Sequence, residues 1–243
     1  MTPTSPDHPI PMSPAVLSRL LGGSVLVLMI FTLARAAGLF GELSDTVLVV
    51  LALVVTGVAL RVGMTRAQLG LGRDAIGSGV RFGLAASALV LVVVVIGACI
   101  PATSSFMDDA RVHVGVGGLA RELLLSILIG TVLPEELLFR GVILGSAMER
   151  WGRWRGVAAS SALFSLWHIA PTLATSGGNA ELSTATTTAL GRLGLVAAAM
   201  ASTFVAGVVF AWLRVRSRSL VAPILAHLAT NGVAFTVAWF VAG

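Results

Sequence analysis

The chain has no lysine, a single cysteine and few charges of either sign, and each scarcity closes off a class of function. Across 243 residues only 11% are charged while 56% are hydrophobic, with a mean hydropathy of +0.96. That balance excludes an ordinary soluble domain and identifies a membrane protein. Cys99 stands alone inside an apolar run, so neither a disulfide framework nor a cysteine-based zinc site can be built, and it reads as a small packing residue. All sixteen basic residues are arginines, set in clusters between apolar runs instead of on one broad basic face. The net charge of +5 is therefore a topology signal and not a nucleic-acid footprint.

Also missing are an HExxH pair, a GxGD motif, a GxSG motif and any repeat of 20–50 residues. These absences argue against a zincin, an aspartyl or rhomboid-type intramembrane protease and a solenoid. What is present is a series of runs long enough to cross the hydrocarbon, which takes about 20 apolar residues in a helix. Seven qualify: 16–38, 46–62, 79–100, 119–147, 156–174, 192–213 and 219–241. The expected fold is an all-α polytopic bundle, with residues 1–15, rich in Pro and Ser, as a disordered tail and 16–243 as one transmembrane domain. A lesser reading takes Arg19, the following apolar stretch and Ala34-Arg35-Ala36 as a cleavable leader. Residues 65–78 suit a short interfacial helix or loop.

Arginines orient this bundle. Arg61, Arg66, Arg73 and Arg81 flank the second connection, Arg150, Arg153 and Arg155 fill the fourth, and Arg214, Arg216 and Arg218 fill the sixth. Those connections should be cytoplasmic. The alternate ones hold Glu42 and Asp45, then Asp108, Asp109 and Arg111, then Glu181, and should face outward, leaving the N-terminus inside and the C-terminus outside. An arginine-only basic set also suits a GC-rich bacterial genome, and hence a bacterial cytoplasmic membrane.

Within the fourth run, "TVLPEELLFRGVIL" places Glu135, Glu136 and Arg140 where lipid-compatible residues are expected. A charge at the middle of a spanning helix costs about 2.5–3.5 kcal/mol on insertion scales, and each large apolar residue returns only about 0.3–0.6. Partners inside the bundle are therefore required. Glu136 and Arg140 are four apart in the favourable order and suit a structural ion pair. At 3.6 residues per turn Arg140 lies about 140° around the helix from Glu135, so Glu135 needs a group from another helix. Of the four histidines, His8 lies in the tail and His113 in an outer loop, both read as incidental. His168 in "LFSLWHIAP" and His227 in "PILAHLATNG" lie in spans, with Asn231 one turn beyond His227. Counted from the arginine-rich ends at 1.5 Å per residue, Glu135, His168 and His227 lie roughly 20, 18 and 12 Å deep. They should share one mid-membrane cavity, reached from the cytoplasm.

"EELLFR" at 135–140, "FSLWH" at 164–168 and "HLATN" at 227–231 resemble the EExxxR, FxxxH and HxxxN/D motifs of the CAAX-protease and bacteriocin-processing (CPBP, or ABI) family of intramembrane endopeptidases. The resemblance covers 119–241. It implies hydrolysis of a peptide bond in a membrane-associated protein or peptide, with the lipid bilayer as surroundings. Glu135 and His168 would activate water, and His227 and Asn231 would bind the oxyanion. Glu136, Arg140 and Phe164 would provide structural support. A zinc held by Glu135, His168 and His227 is one form of that chemistry; a metal-free glutamate-activated water is the other and the preferred one. Two different classes compete with a protease: a proton-coupled transporter, and a catalytically silent scaffold or immunity protein.

Overall fold

The computed structural model describes residues 12–100, 110–176 and 180–242. His8 and most of the N-terminal tail, Asp108, Asp109 and residues 177–179 lie outside them. Among the described residues seven helices are long and apolar enough to span a bilayer: α1 (Pro14–Ala36), α2 (Gly41–Arg61), α3 (Arg73–Cys99), α4 (Val116–Trp151), α5 (Arg153–Ala174), α6 (Ala189–Ser217) and α7 (Val221–Val241). Each falls within a few residues of an apolar run in the sequence, and the described residues contain no strand. The first helix starts at Pro14, where Ser13 caps it by accepting from the Val16 N–H. Proline at the first position costs nothing, because its missing donor would have no helical partner there.

Large apolar side chains such as Ile30, Leu84, Leu89, Val93 and Leu193 are more than half exposed. Outside a bilayer such a surface would be an aggregation liability, whereas in lipid it is the required exterior. The interior is held by close contacts and aromatic packing. On α3, Gly79 and Gly83 lie one turn apart, and a Cβ added to them would come within 2.6 Å of Ser219 Oγ and 2.8 Å of Leu225 Cδ1. Small residues at this spacing let α3 approach α7 closely, and Ser87 Oγ donates to the Leu225 carbonyl across the same seam at 3.0 Å. On the other side Phe31 of α1 stacks on Trp167 of α5, and Phe139 of α4 meets Phe164 of α5 edge-on at 5.2 Å.

Helix α4 departs from ordinary helical winding. Residues Glu122–Val132 and Glu136–Ile143 are π-helical on either side of Pro134, and α7 is π-helical over Ala229–Val233. Thr131 Oγ1 donates to the carbonyl of Ser126, five residues back, which reinforces the wider turn. Proline cannot donate to the preceding turn, and a widened helix relieves the crowding its ring creates. Such π segments concentrate at functional sites, and two of these three contain motif residues, Glu136 with Arg140 in one and Asn231 in the other.

The connection between α2 and α3 is buried more deeply than an interfacial loop. Met64 and Leu69 are 3% and 0% exposed. Arg214 Nη2 donates to the carbonyls of Ala67 and Gln68 at 3.0 and 2.8 Å, and the Leu220 N–H donates to the Gly70 carbonyl. Gly70 has φ +76°, and a side chain there would fall on the Arg214 guanidinium. This loop forms a plug across the arginine-rich end of the bundle. Two hydrogen bonds from Arg214 to backbone carbonyls and two buried apolar anchors make it a fixed part of the core.

Candidate active site

Glu136 and Arg140 are both wholly buried, and Arg140 Nη1 donates to Glu136 Oε1 at 3.0 Å. The ion pair read from the sequence is therefore present, but Glu136 also has a second partner. The same oxygen lies 2.8 Å from His227 Nδ1. Helical angles at 3.6 residues per turn assigned Glu136 to Arg140 alone. The wider π turn over 136–143 brings the carboxylate between its own helix and α7 instead.

Two guanidinium nitrogens of Arg140, Nε and Nη2, have no hydrogen-bond acceptor. Aromatic faces compensate. The guanidinium carbon lies 3.9 Å from the centre of the Phe164 ring and 5.1 Å from that of Phe210, with Phe139 at 6.0 Å. A desolvated cation on a ring face gains about 2 kcal/mol, comparable to a hydrogen bond. This gives Phe164 of the FxxxH-like motif a physical role: it covers Arg140 on one side and contacts His168 at 4.3 Å between ring centres.

Glu135 points to the other side of the same helix. Its Oε1 accepts from Trp167 Nε1 at 2.9 Å, and its Oε2 has no hydrogen-bond partner and lies 3.9 Å from His227 Nε2. One imidazole thus stands between two carboxylates, fixed at Nδ1 by Glu136 and facing Glu135 with Nε2. Phe210 stacks on the ring at 5.0 Å and holds its plane. Hydrogen bonds and opposite charges within this cluster offset the cost of burying ionisable groups together.

A cavity of about 630 Å³ reaches this cluster. Glu135, Trp167, His168, Thr131, Thr230 and Asn231 line its floor, and Arg35, Asp45, Arg111 and Glu122 line its mouth. His168 closes the first part of α5, where its Nδ1 lies 2.8 Å from the Phe164 carbonyl. A carbonyl can only accept, so Nδ1 carries a proton and donates it to Phe164, which leaves Nε2 as the ring nitrogen not engaged there. Three of the four candidate catalytic residues, Glu135, His168 and Asn231, therefore share the cavity wall. His227, 3% exposed, stands behind it, and no hydrogen bond joins Glu135 to His168.

One expectation changes. The cavity opens between the helix ends that carry Arg35, Asp45, Arg111 and Glu122, opposite the arginine-rich loops, and not toward the side the depth estimate favoured. That estimate located the groups along the helices but had no information on which end was closed, and the plug closes the arginine-rich one. The zinc alternative, with Glu135, His168 and His227 as ligands, finds no ready-made set: among the described residues no group of three or more His, Cys, Asp or Glu side chains is arranged to hold an ion. Both nitrogens of His227 face carboxylates, so neither is directed at a shared centre with His168.

Trp167 is a residue of this candidate site that the sequence reading passed over. A buried indole N–H needs an acceptor, and the neighbouring position of the His168 motif was the available signal. In comparison with known proteins, residues 119–233 match the family model for the type II CAAX prenyl endopeptidase Rce1-like family. No curated protein and no solved structure gives a significant match.

Proposed function

We propose that the chain, whose residues 119–233 match the model of the Rce1-like type II CAAX prenyl endopeptidase family, is an intramembrane endopeptidase in which Glu135 activates water against a peptide bond. The observation that carries this reading is the asymmetry between the two adjacent acids. Glu136 is sealed from the cavity and held by Arg140 and His227, whereas Glu135 lines the cavity and is oriented by Trp167.

The chemistry follows from those positions. A carboxylate has about four lone-pair sites, so the Trp167 bond leaves Glu135 able to accept a proton from water. The His168 Nε2 lone pair accepts the second water hydrogen and aims the oxygen at the scissile carbonyl. As the oxygen bonds to carbon, the carbonyl becomes an oxyanion, and the Asn231 amide N–H on the facing wall is its donor. The protonated Glu135 then passes its proton to the amide nitrogen, the C–N bond breaks to give a carboxylic acid and an amine, and the acid's proton goes to the departing amine, so that a carboxylate and an ammonium leave and Glu135 is again a carboxylate. His227, fixed by Glu136, faces the working carboxylate throughout and acts as its positioning and charge partner, the arrangement in which a base is itself held by a third group.

Glu135→Gln tests this. The substitution keeps the shape and the Trp167 acceptor but removes the base, so cleavage should disappear while membrane insertion and melting stay as in wild type. Turnover at the wild-type rate in this variant would remove Glu135 from the mechanism.

A further inference from the structure

The two ends of this bundle differ in charge and in closure, and together these differences indicate where the substrate comes from. Arg19, Arg61, Arg66, Arg73, Arg81, Arg150, Arg153, Arg155, Arg214, Arg216 and Arg218 lie at one end, and Arg35, Arg111, Arg121 and Arg192 at the other. An excess of arginine in short connections marks the cytoplasmic side. The cavity mouth lies at the arginine-poor end, and none of the residues of the arginine-rich connections lines the cavity.

The arginine-rich end is also physically shut. Leu69 is wholly buried in the core that includes Leu138 and Phe139, Arg214 binds two carbonyls of the plug, and a Cβ on Gly145 of α4 would come within 2.8 Å of the Gln68 carbonyl. No polypeptide can reach Glu135 from that side without displacing Leu69 and the Arg214 bonds. The open end is built differently: Arg35 and Asp45 form a half-exposed pair at 3.8 Å, with Glu122 and Arg111 also at the mouth.

We propose that the catalytic cavity opens on the extracytoplasmic face and that its substrates are exported polypeptide segments, meaning stretches of membrane-anchored or translocated chains that emerge on that face. A chain end presented from the cytoplasm is excluded by the plug. Glu122 at the mouth and Glu135 at the floor are thirteen residues apart on α4, roughly 20 Å at helical rise. An extended chain covers this in about six residues at 3.3–3.6 Å each, so the cleaved bond lies about six residues inside the rim. The mixed charges of the rim fit a polar flanking segment, and the apolar walls below it fit the residues drawn in.

This proposal rests on the protease reading for the words "substrate" and "cleaved", but the location of the mouth is testable without activity. In a Cys99→Ala background, Ser126→Cys places a thiol on the cavity wall and Ala67→Cys places one on the exposed surface of the plug. Right-side-out and inside-out membrane vesicles are treated with a membrane-impermeant charged maleimide. Ser126→Cys should label in right-side-out vesicles and Ala67→Cys in inside-out ones. The reverse pattern, or a Ser126→Cys thiol that labels from the inside-out face, overturns the proposal. A Ser126→Cys thiol closed to reagent from both faces overturns it too, since no open mouth would then exist. New protein termini that depend on wild type and are lost in Glu135→Gln should map to extracytoplasmic segments. If they map to cytoplasmic segments the substrate assignment fails. If no termini differ while the labelling holds, the protease reading fails and the orientation of the cavity stands.

Discussion

Replacing Arg140 by Met leaves Glu136 as a carboxylate at 0% exposure whose remaining partner is His227. Removing one member of a buried ion pair typically costs 3–5 kcal/mol, because the survivor keeps its desolvation penalty without its compensation. Here His227 still shares Glu136 Oε1 at 2.8 Å, which places the loss near the lower limit. Loss of the cation over Phe164 and Phe210 adds about 2 kcal/mol, most of it returned by the packing of Met against the same rings. The net expectation is roughly 3–4 kcal/mol, and at about 2–4 °C per kcal/mol for a chain of this size the melting midpoint should fall by roughly 6–16 °C. The assay is thermal unfolding of the purified protein in one detergent, followed by loss of the monodisperse fraction, with Arg153→Met as a control. Arg153 is exposed, so its loss should be worth no more than about 0.5 kcal/mol. Adding Glu136→Gln to Arg140→Met removes the stranded charge and should recover at least about 1 kcal/mol, a coupling expected only for groups in contact. A single variant that melts with wild type, or a double variant whose loss equals the sum of the two singles, would refute the buried pair as a structural requirement.

Trp167→Phe keeps the stacking on Phe31 but removes a hydrogen bond to a carboxylate, a loss of about 1.5–3 kcal/mol. If Trp167 positions the base, kcat should fall roughly 10- to 100-fold with KM little changed; an equal rise in KM alone would assign it to substrate binding. Asn231→Ala should lower kcat by about 10²–10³-fold if its amide meets the oxyanion, and a steady-state rate within twofold of wild type would remove that role. Gly70→Ala forces a side chain into the Arg214 guanidinium and should loosen the plug, seen as a lower melting midpoint and as protease sensitivity of the 62–72 loop. An unchanged midpoint would mean that the loop is not part of the folded core.

The spans were legible because a helix in lipid must be apolar over its whole crossing, and the six polar residues that broke this rule, Glu135, Glu136, Arg140, His168, His227 and Asn231, marked the candidate site. The Glu136–Arg140 pair was legible for the same reason, since i,i+4 neighbours are a local relation. What the sequence withheld was non-local. The π turns on either side of Pro134 changed which way Glu136 points, and no pattern in "TVLPEELLFRGVIL" encodes a turn wider than 3.6 residues. The aromatic cage on Arg140 draws on α4, α5 and α6, so Phe210 carried no signal from its own surroundings. The closed end of the cavity depends on Arg214 meeting the carbonyls of Ala67 and Gln68, nearly 150 positions away in the chain, which the arginine count read only as topology.

The central proposal is that the Glu135 carboxylate activates water, in the metal-free form preferred from the sequence. The most direct measurement is cleavage of one identified substrate segment by purified wild type and Glu135→Gln in proteoliposomes, each after exhaustive chelation with residual metal quantified. Chelated wild type should retain its full rate and Glu135→Gln should stay at background with an unchanged melting midpoint. Equal rates in the two proteins, or a chelated wild type that is dead and recovers on addition of zinc, would contradict the claim.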